Sequence, residues 1–297
     1  MLSRFRLALI GAILSVALTL LFITSRYDVK SYWPEIKSYK SVLAWEPYID
    51  EQPTLQSGAF IHKTPVSEDK VVVVAKTPRE SVSWFSKHLP TWQTAIYHMN
   101  ETDVDPTGLK VPADKGHEAM AYLTFIIDHY DTLPSTVAFM HAHHKGAWHT
   151  DTPNSDSVFL LRDLRLDFVQ QQGYVNLRCQ QNPGCPAECQ TNRDDGREDH
   201  GAERAMHQAW RTMFGAQLTV PDILAVPCCA QFAVSRDQIR QRELAEYVRY
   251  RDWLLATELD DYTSGRVFEY LWHVIFGKQA VYCPNERMCY CMQFGRC

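Results

Sequence analysis

With 297 residues, 45% of them hydrophobic, the chain is long enough to bury a sizeable core in one large domain. Its formal net charge of -5 excludes a global electrostatic pull on nucleic acid or on anionic membranes, so binding of either kind needs a local patch. No internal repeat and no low-complexity tract interrupts it.

The run "LALIGAILSVALTLLFIT", Leu7 to Thr24, carries no charge and follows Arg4 and Arg6. Its length suits a membrane span better than a signal-peptide core, and no small-x-small cleavage site follows. Residues 1–25 are therefore expected to be an uncleaved single-pass anchor. Orientation stays open, because Arg26 and Lys30 nearly match the charges before the span. Residues 26–66, with Trp33, Trp45, Pro34, Pro47 and Pro53, read as a stalk. A single α/β domain is expected over 67–297.

That domain opens on "VVVVAKT", four consecutive valines that fit a strand covered on both faces, as in a parallel sheet. An amphipathic "RESVSWFSKHL", a strand "TAIYHM", an almost wholly apolar helix "HEAMAYLTFIIDHY" and a strand "STVAFMHAH" follow. Strands alternating with helices predict an open, mostly parallel, Rossmann-like sheet flanked by helices. "RAMHQAWRTMF" reads as a helix, and "RDQIRQRELAEYVRYRDWLL" as a single longer one.

His141 and His143 fall at the C-terminal end of a central strand, where open α/β sheets place their ligands. With His149 or Asp151 as a third ligand they would make a metal site. The preferred reading is of hydrogen-bonded cleft histidines holding no metal. Glu118 opens the apolar helix, as a ligand-facing carboxylate or as a partner of the helix dipole. Asp194, Asp195 and Glu198 form a D-D-x-x-E array that is either a set of general bases and cation ligands or a solvated loop. Cys228, Cys229 and Ser235 are nucleophile candidates if a base stands near, and otherwise buried structural residues. Arg240, Arg249 and Arg251, interleaved with Tyr247 and Tyr250, would meet phosphates on a basic helix. Nearby acids equally suit a salt-bridged surface.

All nine cysteines lie between Cys179 and Cys297, without C-x2-C spacing. They read either as disulfides in a lumenal domain or as reduced thiols in the cytosol. Asn100, in "NET", is a glycosylation sequon.

The strings "KGHEAMAYLTFIIDHYDTLPSTVAFMHAH", "AWHTDTPN", "GYVNLRC", "CCAQFAVSRDQI" and "SGRVFEYLWHVIFGK" together resemble a fungal family long filed as a domain of unknown function. Some of its members are arginine-containing cyclodipeptide synthases. The similarity runs from about Val71 to the C-terminus. It implies an enzyme that takes two aminoacyl-tRNAs, one charged with arginine, and joins their amino acids into a diketopiperazine. In that family a D-D-x-x-E motif matters for activity, and Asp194, Asp195 and Glu198 match it here. His141 and His143 would share the proton transfer, Glu118 would help bind substrate, and Arg240, Arg249 and Arg251 would meet tRNA.

An aminoacyl ester is already activated, and the chain has no G-x-x-x-x-G-K-[ST] loop, so no cofactor is expected. Nor is a metal or a protein partner. The tRNA reading puts the catalytic domain in the cytosol, tethered by its N-terminal helix. Two alternatives compete. A glycosyltransferase-like type II membrane enzyme has the same layout and would use an Asp-x-Asp pair such as Asp103 and Asp105, although the later strand is followed by "HAHH". A disulfide-stapled lumenal binding protein would explain the cysteines but not the histidines.

Overall fold

The alternation of valine side chains across a pleated strand sets the architecture, because a strand apolar on both sides must be covered on both sides. The computed structural model describes residues 69–99, 108–146 and 150–297, all within one compact unit. The expected anchor (1–25) and the whole of the expected stalk (26–66), together with Asn100, Asp103, Asp105 and His149, lie outside the described residues. Among the described residues no helix is long and apolar enough to cross a membrane.

β1 (Lys70–Lys76) sits between β2 (Gln93–His98) and β4 (Thr136–His141), parallel to both, and β3 (Leu109–Lys110) extends the sheet beyond β2. On the other side β8 (Phe232–Ser235) pairs antiparallel with β4, and β5 (Tyr174–Asn176) closes the order β3-β2-β1-β4-β8-β5. The sheet is thus mixed and mostly parallel. The reversed β8 is not foreseen from the sequence as an element, because a four-residue strand of alternating faces does not announce its direction. A separate ribbon pairs β6 (Cys189–Gln190) with β7 (Ile223–Leu224).

Val71 and Val73 face one core, with Phe139, Phe232, Val234 and Tyr174. It is covered by α2 (Glu118–Asp128), α5 (Gly201–Phe214), α7 (Leu244–Ala256) and α8 (Asp261–Ile275). Val72 and Val74 face the other, with Ala138, Met140 and Val175. Trp84 and Phe85 of α1 (Ser83–His88), the short helices α3 (Val158–Arg162) and α4 (Leu166–Gln172), and Phe294 of α9 (Glu286–Phe294) cover that face. Each buried valine contributes roughly 1.5–3 kcal/mol relative to exposure.

The single helix expected from Arg236 onward is two. Ser235 caps α6 (Arg236–Ile239) by accepting from Gln238 N, and a capping box between Glu243 and Glu246 starts α7. Both caps satisfy orphan backbone donors, and together they outweigh the continuity of helix formers.

The cysteine-rich half carries disulfides Cys179–Cys289, Cys185–Cys283, Cys228–Cys229 and Cys291–Cys297, with Cys189 buried and unpaired. Asp151, one alternative third ligand in the less favoured metal reading, clamps this region by accepting from Cys179 N, Gln180 N and the Tyr290 hydroxyl.

His273 of α8 is fully buried, and its Nε2 donates to the Ala280 carbonyl at 2.9 Å. Burial pulls its pKa down to about 4. A folded pKa below the unfolded one adds stability that is complete above pH of about 6.5 and is lost as pH falls towards 4. Over that window urea unfolding should show a His273 contribution of roughly 3 kcal/mol. His273→Gln should flatten the slope, and an unchanged slope would refute the assignment.

Candidate functional site

The parallel strands change direction of succession between β1 and β4, and the crevice at their C-terminal ends is where an open sheet offers a site. His141 is the last residue of β4. Its backbone N–H donates to Gln231 Oε1 at 3.2 Å, and its Nε2 lies 2.8 Å from the Cys229 carbonyl. A carbonyl only accepts, so Nε2 carries a proton in this contact. His143 lies beyond the strand, its ring 6.3 Å from that of His141 and nearly parallel to it. His143 Nδ1 is 3.3 Å from Glu80 Oε1, while Glu80 Oε2 accepts from the Thr77 N–H and hydroxyl. This pair ties the exit of β1 to the exit of β4. His144 stacks on Trp84, and burial lowers its pKa, with Asp156 opposing the shift.

Behind His141 the chain reverses through Cys228 to Gln231 into β8. The Cys229 N–H donates to Glu269 Oε1 at 2.6 Å. Burial raises the Glu269 pKa against the Arg266 charge, and the nearby carboxylates of Glu118 and Glu188 raise it further. Glu118, in the first turn of α2, is therefore within electrostatic reach of the site. Gly265 permits this apposition, since a Cβ there would stand 2.9 Å from the His117 ring and 3.1 Å from the Gly116 carbonyl. Arg266 Nη1 lies 3.3 Å from Glu269 Oε2, and its Nη2 is 2.8 Å from Glu188 Oε1. Burial opposes the Arg266 charge, but Glu269, Tyr270 and Glu188 outweigh it and hold it protonated.

The acidic array lies at the far end of this network. Asp194, Asp195 and Glu198 are exposed. The Asp195 carboxylate accepts from His200 Nδ1 at 2.9 Å, which pulls its pKa down. Arg193 Nη1 then donates to His200 Nε2 at 3.0 Å and pairs with the buried Glu203 at 3.2 Å. Arg193 Nη2 also donates to the Glu188 carbonyl at 3.3 Å. One polar chain thus runs Asp195, His200, Arg193, Glu188, Arg266, Glu269, Cys229, His141. No direct hydrogen bond or ion pair joins Asp194, Asp195 or Glu198 to His141, His143 or Glu118 among the described residues.

Arg240 follows α6 and donates to the Tyr130 and Asp131 carbonyls, while Arg249, on α7, donates to the Met213 carbonyl. Arg251 keeps a buried Nε with no hydrogen-bond partner. Two helices therefore divide the expected basic stripe. Ser235 is a buried cap, and Cys228 and Cys229 are joined to each other, so none of the three is poised as a nucleophile. As thiols, Cys228 and Cys229 would gather with Glu269 into a three-donor metal site, their ligand atoms within 4.8 Å of one another. A groove of about 260 Å³ lined by Lys70, His88, Trp92 and Arg162 lies by the start of β1, at the opposite end of that strand.

Sequence reasoning missed Glu80, Glu188, His200, Arg266 and Glu269. One signal was present: Arg266 and Glu269 stand three apart, about one helical turn, as an oppositely charged pair inside a helix whose later turns are largely apolar.

Fold and site together define an α/β domain with acid–base groups gathered at the open end of its parallel strands. The family model described as Protein of unknown function (DUF3431) matches residues 72–292, and the chain belongs to that family. No curated protein and no solved structure matches it.

Glu269→Ala would leave the Cys229 N–H without its acceptor and Arg266 with Glu188 alone, and for this partly exposed pair the loss should fall below the ~3–5 kcal/mol typical of breaking a fully buried one. Glu269→Gln retains an acceptor and should cost less. Equal losses for the two variants in denaturant unfolding would show that the carboxylate is not the anchor.

Proposed function

We infer that this chain joins two aminoacyl groups from aminoacyl-tRNAs, one of them arginyl, into a cyclic dipeptide. The observation that carries the reading is the strand-end cluster: His141 held by the Cys229 carbonyl, Glu269 held by the Cys229 N–H, and Glu118 within electrostatic reach of Glu269. Joining an amine to an activated ester needs a proton acceptor and a positioned carbonyl, and a guanidinium in a cleft needs anionic partners. His141, with His143, is the proposed proton acceptor. Glu118 is the proposed partner of the substrate guanidinium. Asp194, Asp195 and Glu198 are proposed to act through His200 and the polar chain, consistent with the D-D-x-x-E resemblance. Arg240, Arg249 and Arg251 are the proposed tRNA contacts, and the domain would face the cytosol from a membrane tether.

A second reading is favoured by the disulfides. Bonds such as Cys179–Cys289 and Cys185–Cys283 belong in an oxidising compartment, where charged tRNA is not supplied. That reading is a type II membrane enzyme, glycosyltransferase-like, with the same strand-end groups facing a lumen.

Expression of the full chain in a microbial host should yield an arginine-containing diketopiperazine by mass spectrometry, and RNase should abolish turnover by the purified protein. His141→Ala and Asp195→Asn should each lower the rate by roughly two to four powers of ten, the usual loss with a proton acceptor. Folded protein that makes no such product, in membranes where protease protection places the domain in the lumen, would refute the synthase and favour the second reading.

A further inference from the structure

We propose that the bond between the adjacent Cys228 and Cys229 is a redox-controlled positioning element of the strand-end site, and that its reduction by a dithiol releases the Cys229 backbone from Glu269 and His141. The inference rests on the geometry of that site and not on the reaction assigned to it.

A disulfide between distant residues stabilises a fold chiefly by closing a long loop in the unfolded chain. Cys179–Cys289 and Cys185–Cys283, with sequence separations of 110 and 98, fit that role. Cys228–Cys229 has a separation of 1 and closes no loop. Its physical effect is local, because a ring through two neighbouring residues fixes the torsions of the peptide between them.

That backbone is in a region side chains avoid. Cys229 has φ +89° and Ala230 φ +47°, and neither is glycine. Non-glycine residues persist there only where the surroundings over-determine them, and such places cluster at functional sites. The surroundings here are functional groups. The Cys229 N–H is held by Glu269 at 2.6 Å and its carbonyl by His141 Nε2 at 2.8 Å. On the N-terminal side the Pro227 carbonyl accepts from Asn176 at 2.6 Å, and the Cys228 N–H donates to the Pro183 carbonyl at 3.1 Å. One residue therefore holds both groups: the N–H of Cys229, in the peptide inside the disulfide ring, serves Glu269, and its carbonyl, in the next peptide, serves His141.

Reduction breaks one sulfur–sulfur bond. The dithiol supplies two electrons and two protons, leaves as its own disulfide, and two cysteine thiols remain. Without the ring, Cys229 and Ala230 can leave the left-handed region. The Cys229 N–H then turns from Glu269 and its carbonyl from His141.

The test uses full-length protein in detergent, titrated with dithiothreitol, with alkylation and peptide mapping to show which bonds have opened. At the concentration where only Cys228–Cys229 is open, the ring Nε2–H resonance of His141, assigned with His141→Gln, should be lost to solvent exchange. Cys228→Ser/Cys229→Ser should reproduce that loss without reductant. Ala230→Gly, which accommodates a positive φ, should keep the oxidised spectrum. If the double variant does not fold, the titration of the natural protein decides. An unchanged His141 signal with the bond open would overturn the proposal, as would failure of any concentration to open this bond without the others.

Discussion

β8 runs against β4, with Thr136 opposite Ser235 and Phe139 opposite Phe232. A strand that reverses direction presents its beginning where its neighbour ends, so residues Cys228 to Gln231 arrive at the mouth of the parallel strands rather than at their base. Gln231 meets the backbone of His141 there, and Cys229 meets its ring. Were β8 parallel, that turn would lie a strand's length away, and Glu269 would have no backbone donor at the site. The antiparallel pairing is what makes a site from segments more than eighty residues apart in sequence.

The same arrangement explains how the molecule tolerates buried charge. Desolvating an ion costs several kcal/mol even after the protein relaxes, and recovering it takes paired charges with their hydrogen bonds filled. Arg266 stands between two carboxylates, and Glu269 takes a backbone N–H as well. Glu203 receives Arg193 and the Gln190 N–H on Oε1, while its buried Oε2, like Arg266 Nε, has no hydrogen-bond partner. The two buried centres communicate through Glu188, whose side chain serves one and whose carbonyl serves the other. Exposed pairs such as Arg197 with Asp199 lie outside this scheme.

Much of the framework is legible from residue pattern. Four valines in a row require cover on both faces, and both faces are covered. The helix from Glu118 to Asp128 is apolar nearly all round because it lies between the sheet and other helices. The histidines fall at a strand end because the strand is read correctly. Direction and pairing are not legible in this way. The sequence of β8 carries no mark of its orientation, and nine cysteines admit many connectivities that only the folded geometry distinguishes. The acidic array is conspicuous because it is dense, yet its carboxylates are solvated, and Asp195 reaches the strand end only through intermediaries. Arg266 and Glu269 carry less sequence signal and lie closer to His141.

An odd thiol among eight bonded cysteines poses a hazard, since thiolates attack disulfides and reshuffle them. Cys189 is fully buried, and burial, reinforced by the Glu203 charge, pushes its pKa up to about 12. At neutral pH almost none of it is thiolate, and only the thiolate is nucleophilic. The native fold thus carries no internal catalyst for scrambling. Once formed, its cross-links are kinetically isolated from one another, and any rearrangement has to be brought in by an outside thiol.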